Sequence, residues 1–411
     1  MANNRYYPRT ALLLFTALNL LNYVDRSVLN GVQLRIQEEF HLTGAQTGLL
    51  TTAFFWCYMA MAPAMGWLAD RYPRKYIIAL GGIVWSGATL LTALTKNYPE
   101  LLFRHCVVGI GEASFATIAP TFIVDLFPQE RRGRVMGIFY LAIPVGTALG
   151  YVLAGQLEPR YGWKEPFYVA AIPGLILSLS ILFLREPVRG QQDTLAETPT
   201  RATFKGLFRN PAYWTATLGM AAMTFALGGL SAWIPTFLST ARKMTLEQAD
   251  TQFGIIAAID GILAALAGGW LGDRLLRRTR TAYYLVSAAS MAIGVPVLVF
   301  ALRAQGRALI PAIAVGAFLV LFNTAPLNTA VINSVGAHIR ATAIAVNIFT
   351  IHLLGDAFSP WFIGRLADRS NLESALMTTP VALGISALIC FLGMRYAPLP
   401  RQTATAAEVR A

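Results

Sequence analysis

The sequence predicts an all-α membrane protein: twelve transmembrane helices in two six-helix, pseudo-symmetric bundles. Three observations carry this. The 411 residues are 55% hydrophobic and only 13% charged, about half the charge of an ordinary soluble chain, with a mean hydropathy of +0.53. Apolar windows of about 20 residues, each long enough to cross a hydrocarbon core of about 30 Å, recur along nearly the whole length. The motif G-x-L-x-x-R returns four times, as "GWLADR" (66–71), "GQLEPR" (155–160), "GWLGDR" (269–274) and "GRLADR" (364–369). The alternating ten-residue pattern of a membrane β-barrel is not seen.

In order, the expected spans cover 9–33, 46–69, 76–95, 100–126, 134–157, 166–184, 211–240, 249–272, 281–302, 308–335, 341–366 and 374–396. The only long polar connection, 185–210, divides them six and six. The expected organisation is an N-terminal bundle 1–184, a cytoplasmic linker 185–210, a C-terminal bundle 211–400 and a cytoplasmic tail 401–411. The repeated motif closes spans two, five, eight and eleven. Parallel halves built of inverted three-helix units are the mark of a transporter that rocks around a central site.

The net charge of +12 raises nucleic acid as a partner. The placement of the charge argues against it, because the basic residues gather in short loops between spans. With the N-terminus inside, lysines and arginines favour the inner side by two to one, so both termini are expected in the cytoplasm. The expected location is a multi-pass position in a bacterial inner membrane. Cys57, Cys106 and Cys390 all lie in apolar spans, which implies no disulfide framework. The chain runs straight into a spanning helix, with no small-residue cleavage site. It offers no metal-ligand cluster, phosphate-binding glycine loop or nucleophile elbow. The expectation is a non-enzyme without cofactor, driven by an ion gradient with the proton as coupling ion, or by the substrate's own gradient.

Charges inside spans are costly and usually face a cavity or a partner. Span one carries "NYVDRS" (22–27). Asn19, Asn22, Arg26, Asn30 and Gln33 follow i+3/i+4 steps and share one helical stripe, with Asp25 at its edge. The stripe is expected to line the central cavity; the alternative is that Asp25 and Arg26 anchor the outer end of the helix. In span four, Glu112 lies about 12 Å from Arg104 along the axis, near mid-bilayer, just after "GIG". Asp25 and Glu112 form the candidate proton-coupling pair, with a static salt bridge from Glu112 to Arg26 or Arg104 as the alternative. Arg26 suits either holding the carboxylates or binding an anionic head, since its planar fork donates two hydrogen bonds at once. Asn19, Asn22 and Arg104 join Arg26 as candidate substrate-binding residues. So do His352 and Asp356, one helical turn apart in span eleven, which otherwise act as a strut between helices. Asp260 in span eight is isolated.

The residues also resemble a known superfamily. "GWLADRYPRK" (66–75), "RHCVVGIGEA" (104–113) and "FPQERRGRVMGIF" (127–139) resemble the loop 2–3, span-four and loop 4–5 motifs of the major facilitator superfamily. Within it, "NYVDRSVL" (22–29), "GIGEASFATIAPTFIVDLF" (109–127) and "HLLGDAFSPWFIG" (352–364) resemble the Spinster family. That resemblance implies the major facilitator fold and the export of lysophospholipid-like or sphingosine-1-phosphate-like substrates. It also implies a conformational latch of Asp70, Arg71, Arg74, Asp125 and Arg131 at the inner face, with Asp273 and Arg274 as the pseudo-symmetric counterpart. "IPVGTALGYVLAG" (143–155) resembles the span-five motif of superfamily antiporters, which leans toward export.

The expected function is secondary active transport by alternating access. It is expected to be proton-coupled, to act on an amphiphilic lipid such as a lysophospholipid, and to be carried out by a monomer embedded in membrane lipids. A proton-coupled carrier of small organic anions or drugs is the alternative. A non-transporting lipid receptor or scramblase is the alternative of another class.

Overall fold

A computed structural model describes residues 7–189, 204–335 and 339–398. The expected tail 401–411 and most of the expected linker lie outside the described residues. The first half contains α1 (Tyr7–Glu39), α2 (Gly44–Arg71), α3 (Arg74–Thr92), α4 (Tyr98–Leu126), α5 (Gln129–Tyr161) and α6 (Glu165–Ile181). A short α7 (Phe204–Phe208) precedes α8 (Pro211–Thr240), α9 (Leu246–Leu276), α10 (Ala282–Arg303), α11 (Leu309–Leu321) and α12 (Thr324–Asn333). The chain ends with α13 (Arg340–Ile351), α14 (Ser359–Ala367), α15 (Leu372–Leu376) and α16 (Thr378–Gly393). Eleven helical stretches among the described residues are long and apolar enough to cross a membrane. The twelfth, α6, has 17 residues, about the shortest length that spans.

Local sequence explains the boundaries. Capping boxes start α2 (Thr43 with Gln46) and α9 (Thr245 with Gln248) at equivalent places in the two halves. The side chains of Asn97 and Asn210 cap α4 and α8, each followed by a proline in the first turn. In both devices a side-chain oxygen takes up a backbone N–H that the helix leaves unpaired. Each half has its own apolar core, around Phe15, Trp85, Phe115 and Phe122 in the first and Trp233, Phe237, Leu298 and Leu383 in the second. Leu80, Phe103, Leu266 and Leu388 face outward, as a lipid-exposed surface requires.

Three spans expected to be continuous are broken, span twelve at Met377 between α15 and α16. In span ten the break falls at Asn323. Its amide donates back to the Leu319 carbonyl at 2.9 Å and its oxygen accepts from Ser290 Oγ at 2.7 Å, so the side chain competes for the backbone. In span eleven a π turn, His352–Asp356, separates α13 from α14, and Gly355 leaves helical geometry (φ −106°, ψ −110°). Gly355 sits directly against α8, where a Cβ would come 2.9 Å from the Ala221 carbonyl.

The repeated motif shows how the halves meet. At the end where α1 turns into α2, the halves are sealed. A Cβ on Gly364 would overlap the Gly44 carbonyl, and one on Gly155 would come 2.9 Å from the Cβ of Asp250. Asp368 reaches across to accept from the N–H groups of Gly44 (2.5 Å) and Ala45 (2.9 Å), capping α2 from the other half. The other two motif glycines, Gly66 and Gly269, lie at the opposite end. Their nearest neighbours belong to their own half, Thr117 at 3.8 Å and Ala325 at 3.4 Å. The same motif is thus clamped between halves at one end and released at the other.

A side chain at the sealed end is expected to be costly. At Gly48 a Cβ would overlap the Pro360 carbonyl, whereas at Gly87 it meets open space. Gly48→Val should lower stability by about 1–3 kcal/mol through overpacking. Gly87→Ala should leave it unchanged or raise it. Thermal unfolding of the two variants in detergent separates the outcomes.

Candidate functional site

A cavity of about 430 Å³ lies between the halves, just beyond the sealed end. Its two walls differ in character. The first half contributes Asp25, Arg26, Asn30, Thr51, Thr89 and Glu112, beside Phe54 and Phe55. The second contributes Leu227, Gly228, Ala257, Ala265 and Leu321, with Ser231, Thr324, His352 and Asp356 as its polar members.

Glu112 is fully buried, and its Oε2 accepts from Arg26 Nε at 2.7 Å. The approach is possible because α4 comes close to its neighbours at "GIG". A Cβ on Gly109 would overlap the Phe54 carbonyl, and one on Gly111 would come 2.7 Å from the Gly81 carbonyl. The guanidinium carbon of Arg26 lies 4.9 Å from the Tyr23 ring centre, 5.0 Å from Phe54, 5.8 Å from Phe55 and 5.4 Å from Tyr58. Four aromatic rings and one carboxylate therefore hold a cation that water hydrates only in part. Asp25 Oδ2 accepts from Thr89 Oγ1 at 3.3 Å. Asp25 Oδ1 and Glu112 Oε1 are buried with no hydrogen-bond partner among the described residues, so each carboxylate keeps a free acceptor.

Across the cavity, Asp356 meets His352 Nδ1 at 2.8 and 3.1 Å. The imidazole stacks on Phe55 at 5.5 Å and meets Tyr58 edge-on at 6.4 Å. The same two rings thus touch Arg26 of one half and His352 of the other. The pair lies in the π turn rather than in a regular helix, and such turns recur where a side chain must be aimed.

Other expected residues stand elsewhere. The stripe on α1 meets the cavity over only part of its length, and Asn19 lies about 10 Å from Arg26 along the axis. Arg26 and Asn30 line the cavity, but Asn19 faces α5, where its amide donates to the Phe139 carbonyl at 2.9 Å. Asn22 is buried just behind the lining, with its side chain beside Glu112. Arg104 does not reach the cavity either. It donates to the Leu91 carbonyl and, at 2.6 Å, to Thr95 Oγ1. That placement satisfies the carbonyl end of α3, where a cation is favourable.

Of the expected latch, the structure joins one part. Arg74 is buried between Asp125 (2.7 Å) and Glu186 (2.9 Å). Asp70, Arg71, Arg131, Asp273 and Arg274 are exposed. Arg71 lies on Trp67 at 4.1 Å, Asp273 accepts from the Tyr283 hydroxyl at 2.8 Å, and Arg274 lies on Trp270 at 5.5 Å. The structure does not bring Asp70 to Arg274 or Asp273 to Arg71, as expected of an end at which the halves stand apart. Glu186 was missed, because a single acid after span six reads as an ordinary loop residue. His105, which lines the cavity, was hidden beside Arg104.

Removing Arg26 alone should strand a buried carboxylate. Arg26→Met is expected to lower stability by about 3–5 kcal/mol. Adding Glu112→Gln should recover most of that loss, because the charge left behind is gone. A double-mutant cycle of unfolding free energies checks both statements.

Comparison with known proteins agrees with this architecture. The sequence profile of the Major Facilitator Superfamily matches residues 15–360. Protein spinster homolog 1 of Mus musculus is 36% identical over 406 residues, covering 92% of this chain and 76% of the relative. The sphingosine-1-phosphate transporter SPNS2 of Danio rerio is 34% identical over 404 residues, covering 90% and 79%. In fold, a crystal structure of a bacterial homolog to the human lysosomal transporter Spinster superposes with a TM-score of 0.86 at 22% identity, covering 97% of this chain and all of that one. The nucleoside transporter NupG superposes with a TM-score of 0.74 at 15% identity, covering 95% of this chain and all of that one. The architecture is the twelve-helix one of these multi-pass membrane transporters, which are not enzymes. This chain belongs to the major facilitator superfamily and, within it, to the Spinster family of transporters.

Proposed function

We propose that this transporter works by proton-coupled alternating access and carries an amphiphile with an anionic or zwitterionic head, a lysophospholipid or a sphingosine-1-phosphate-like lipid. The observation that carries the reading is the ion pair of Arg26 with Glu112, held in an aromatic cage at the polar edge of a cavity whose far wall is mostly apolar, with Leu227, Ala257, Ala265 and Leu321 beside four polar residues. In the resting arrangement Glu112 occupies the guanidinium. A proton on Glu112 removes that competitor, and the fork of Arg26 turns to the phosphate of the head. When the head leaves, Glu112 gives up its proton and takes Arg26 back. Asp25, within the same cavity and bonded to Thr89, is the second carboxylate that gains and loses a proton. The acyl chain lies along Leu227, Ala257, Ala265 and Leu321. No cofactor takes part; the proton is the coupling ion.

The positive-inside bias supports both termini in the cytoplasm, and the proposed location is a bacterial inner membrane. In that orientation the sealed end faces outward and the cavity opens inward. The chain acts as a monomer surrounded by lipid.

Flux of a labelled lysophospholipid into proteoliposomes, with and without an imposed pH gradient, tests the proposal. The wild type should respond to the gradient. Asp25→Asn and Glu112→Gln should each abolish the response while binding persists. Arg26→Lys should weaken head-group affinity by about tenfold, because a point charge cannot replace a bidentate fork. Gradient-independent flux would identify a facilitator or scramblase. Competition by small carboxylates but not by lysolipids would identify an organic-anion carrier.

A further inference from the structure

We infer that Asp250, on α9 of the second half, is a separate proton site built into the sealed seam, and that its ionisation opens that seam. The inference rests on the alternating-access reading, but on neither the substrate nor Asp25 and Glu112. Asp250 is 0% exposed, and neither of its carboxylate oxygens has a hydrogen-bond partner among the described residues. It is absent from the cavity lining. It lies instead at the level of Gly31 on α1, roughly 9 Å beyond Asp25 toward the sealed end.

The space it fills is left by glycines of the other half. A Cβ on Gly31 would come 3.4 Å from both carboxylate oxygens, and one on Gly155 would come 2.9 Å from the Cβ of Asp250. The charged and titratable groups around it do not neutralise it. From α5 come Glu158, whose own Oε2 is buried without a partner, and Tyr151, whose hydroxyl donates to the Ser231 carbonyl at 2.6 Å. From α1 comes Arg35, but its guanidinium already serves Glu158 at 2.7 Å and Glu38 at 2.8 Å. From α9 itself comes Glu247, whose backbone packs on Gly155. Arg35 is shared by two other carboxylates, and one of those, Glu158, lies one turn beyond Gly155 on α5 and acts on Asp250 across the two halves.

An ionised carboxylate withdrawn from water without a partner costs far more than a neutral acid, and a second negative charge nearby adds to that cost. The seam therefore closes on protonated Asp250. Separation of α5 from α9 admits water, and the carboxyl can then release its proton. The closed state binds one more proton than the open state, so acid favours closure and rising pH favours opening. The open population gains about tenfold for each unit by which the two states differ in proton affinity.

The test reads the seam itself. Spin labels are placed at Tyr161→Cys, at the end of α5, and Lys243→Cys, in the α8–α9 turn, with Cys57, Cys106 and Cys390 replaced. The distance distribution of the full chain in nanodiscs is followed from about pH 5 to about pH 9, a range from near the ordinary carboxylate value to well above it. The background carries Asp25→Asn and Glu112→Gln, which removes the cavity carboxylates from the titration. With Asp250 present, the long-distance population should rise with pH by at least about tenfold. With Asp250→Asn it should change by less than about twofold, the seam staying closed. Glu158→Gln, the second variant, should shrink the rise, because the closed seam then tolerates an ionised Asp250 better. The inference is overturned if Asp250→Asn titrates as its parent does, or if the background shows no pH-dependent opening. Neither result depends on flux, so failure here is distinct from failure of the proton-coupled transport proposed above.

Discussion

The buried ion pair between Arg26 and Glu112 is the constraint around which this molecule is arranged. Two charges near the middle of a membrane are tolerable only if they satisfy each other and keep a route to water. The glycines of α4 answer the first requirement. Gly109 and Gly111 let α4 approach α2 and α3 closely enough for a short glutamate to reach an arginine on α1. The rings of Tyr23, Phe54, Phe55 and Tyr58 then enclose the cation on the sides the carboxylate leaves bare. The cavity answers the second. Larger side chains at either glycine would separate the helices and undo the pair and the cage together.

Division of labour between the halves follows from that arrangement. The first half supplies the charge chemistry, through Asp25, Arg26 and Glu112. The second supplies shape, through an apolar wall on α8 and α9 and through the π turn that presents His352 and Asp356. His352 stacks on Phe55, whose ring also faces Arg26. One aromatic side chain thus connects the polar centres of both halves, and a change in Arg26 has a direct mechanical path to the far wall.

The fourfold repeat carries a comparable asymmetry. Four sequence-related helix ends fall into two kinds of environment. Two are clamped against the opposite half through Gly155 and Gly364, and two are released with Gly66 and Gly269 against their own half. Asp368 caps a helix of the other half, whereas Asp273 bonds only to Tyr283 in its own. An inverted repeat makes these two arrangements exchangeable, because what one pair of ends does in this state the other pair can do in the opposite one. Buried acids such as Asp250 and Glu158 at the clamped end bear on how readily that exchange occurs.

Much of this was legible in the chain. Hydropathy alone determined the spans and their number, because a bilayer imposes one length scale on every crossing helix. The repeat determined the pairing of the halves. The scarcity of charge inside spans singled out Asp25, Arg26 and Glu112, because a residue that expensive is rarely incidental. What the chain by itself did not determine is rotation and contact. It put Asn19 and Asn22 on the cavity stripe, but packing gives Asn19 to the Phe139 carbonyl of α5 and sets Asn22 behind the lining, beside Glu112. It offered Arg104 as a substrate-binding residue, yet the carbonyl end of α3 takes Arg104. It passed over Asp250, because an acid near a helix start reads as an ordinary end charge until Gly31 and Gly155 of the other half bury it. Composition and period are properties of one helix. Which face meets which, and which charge is left without a partner, depend on helices far apart in sequence and are decided only by their packing.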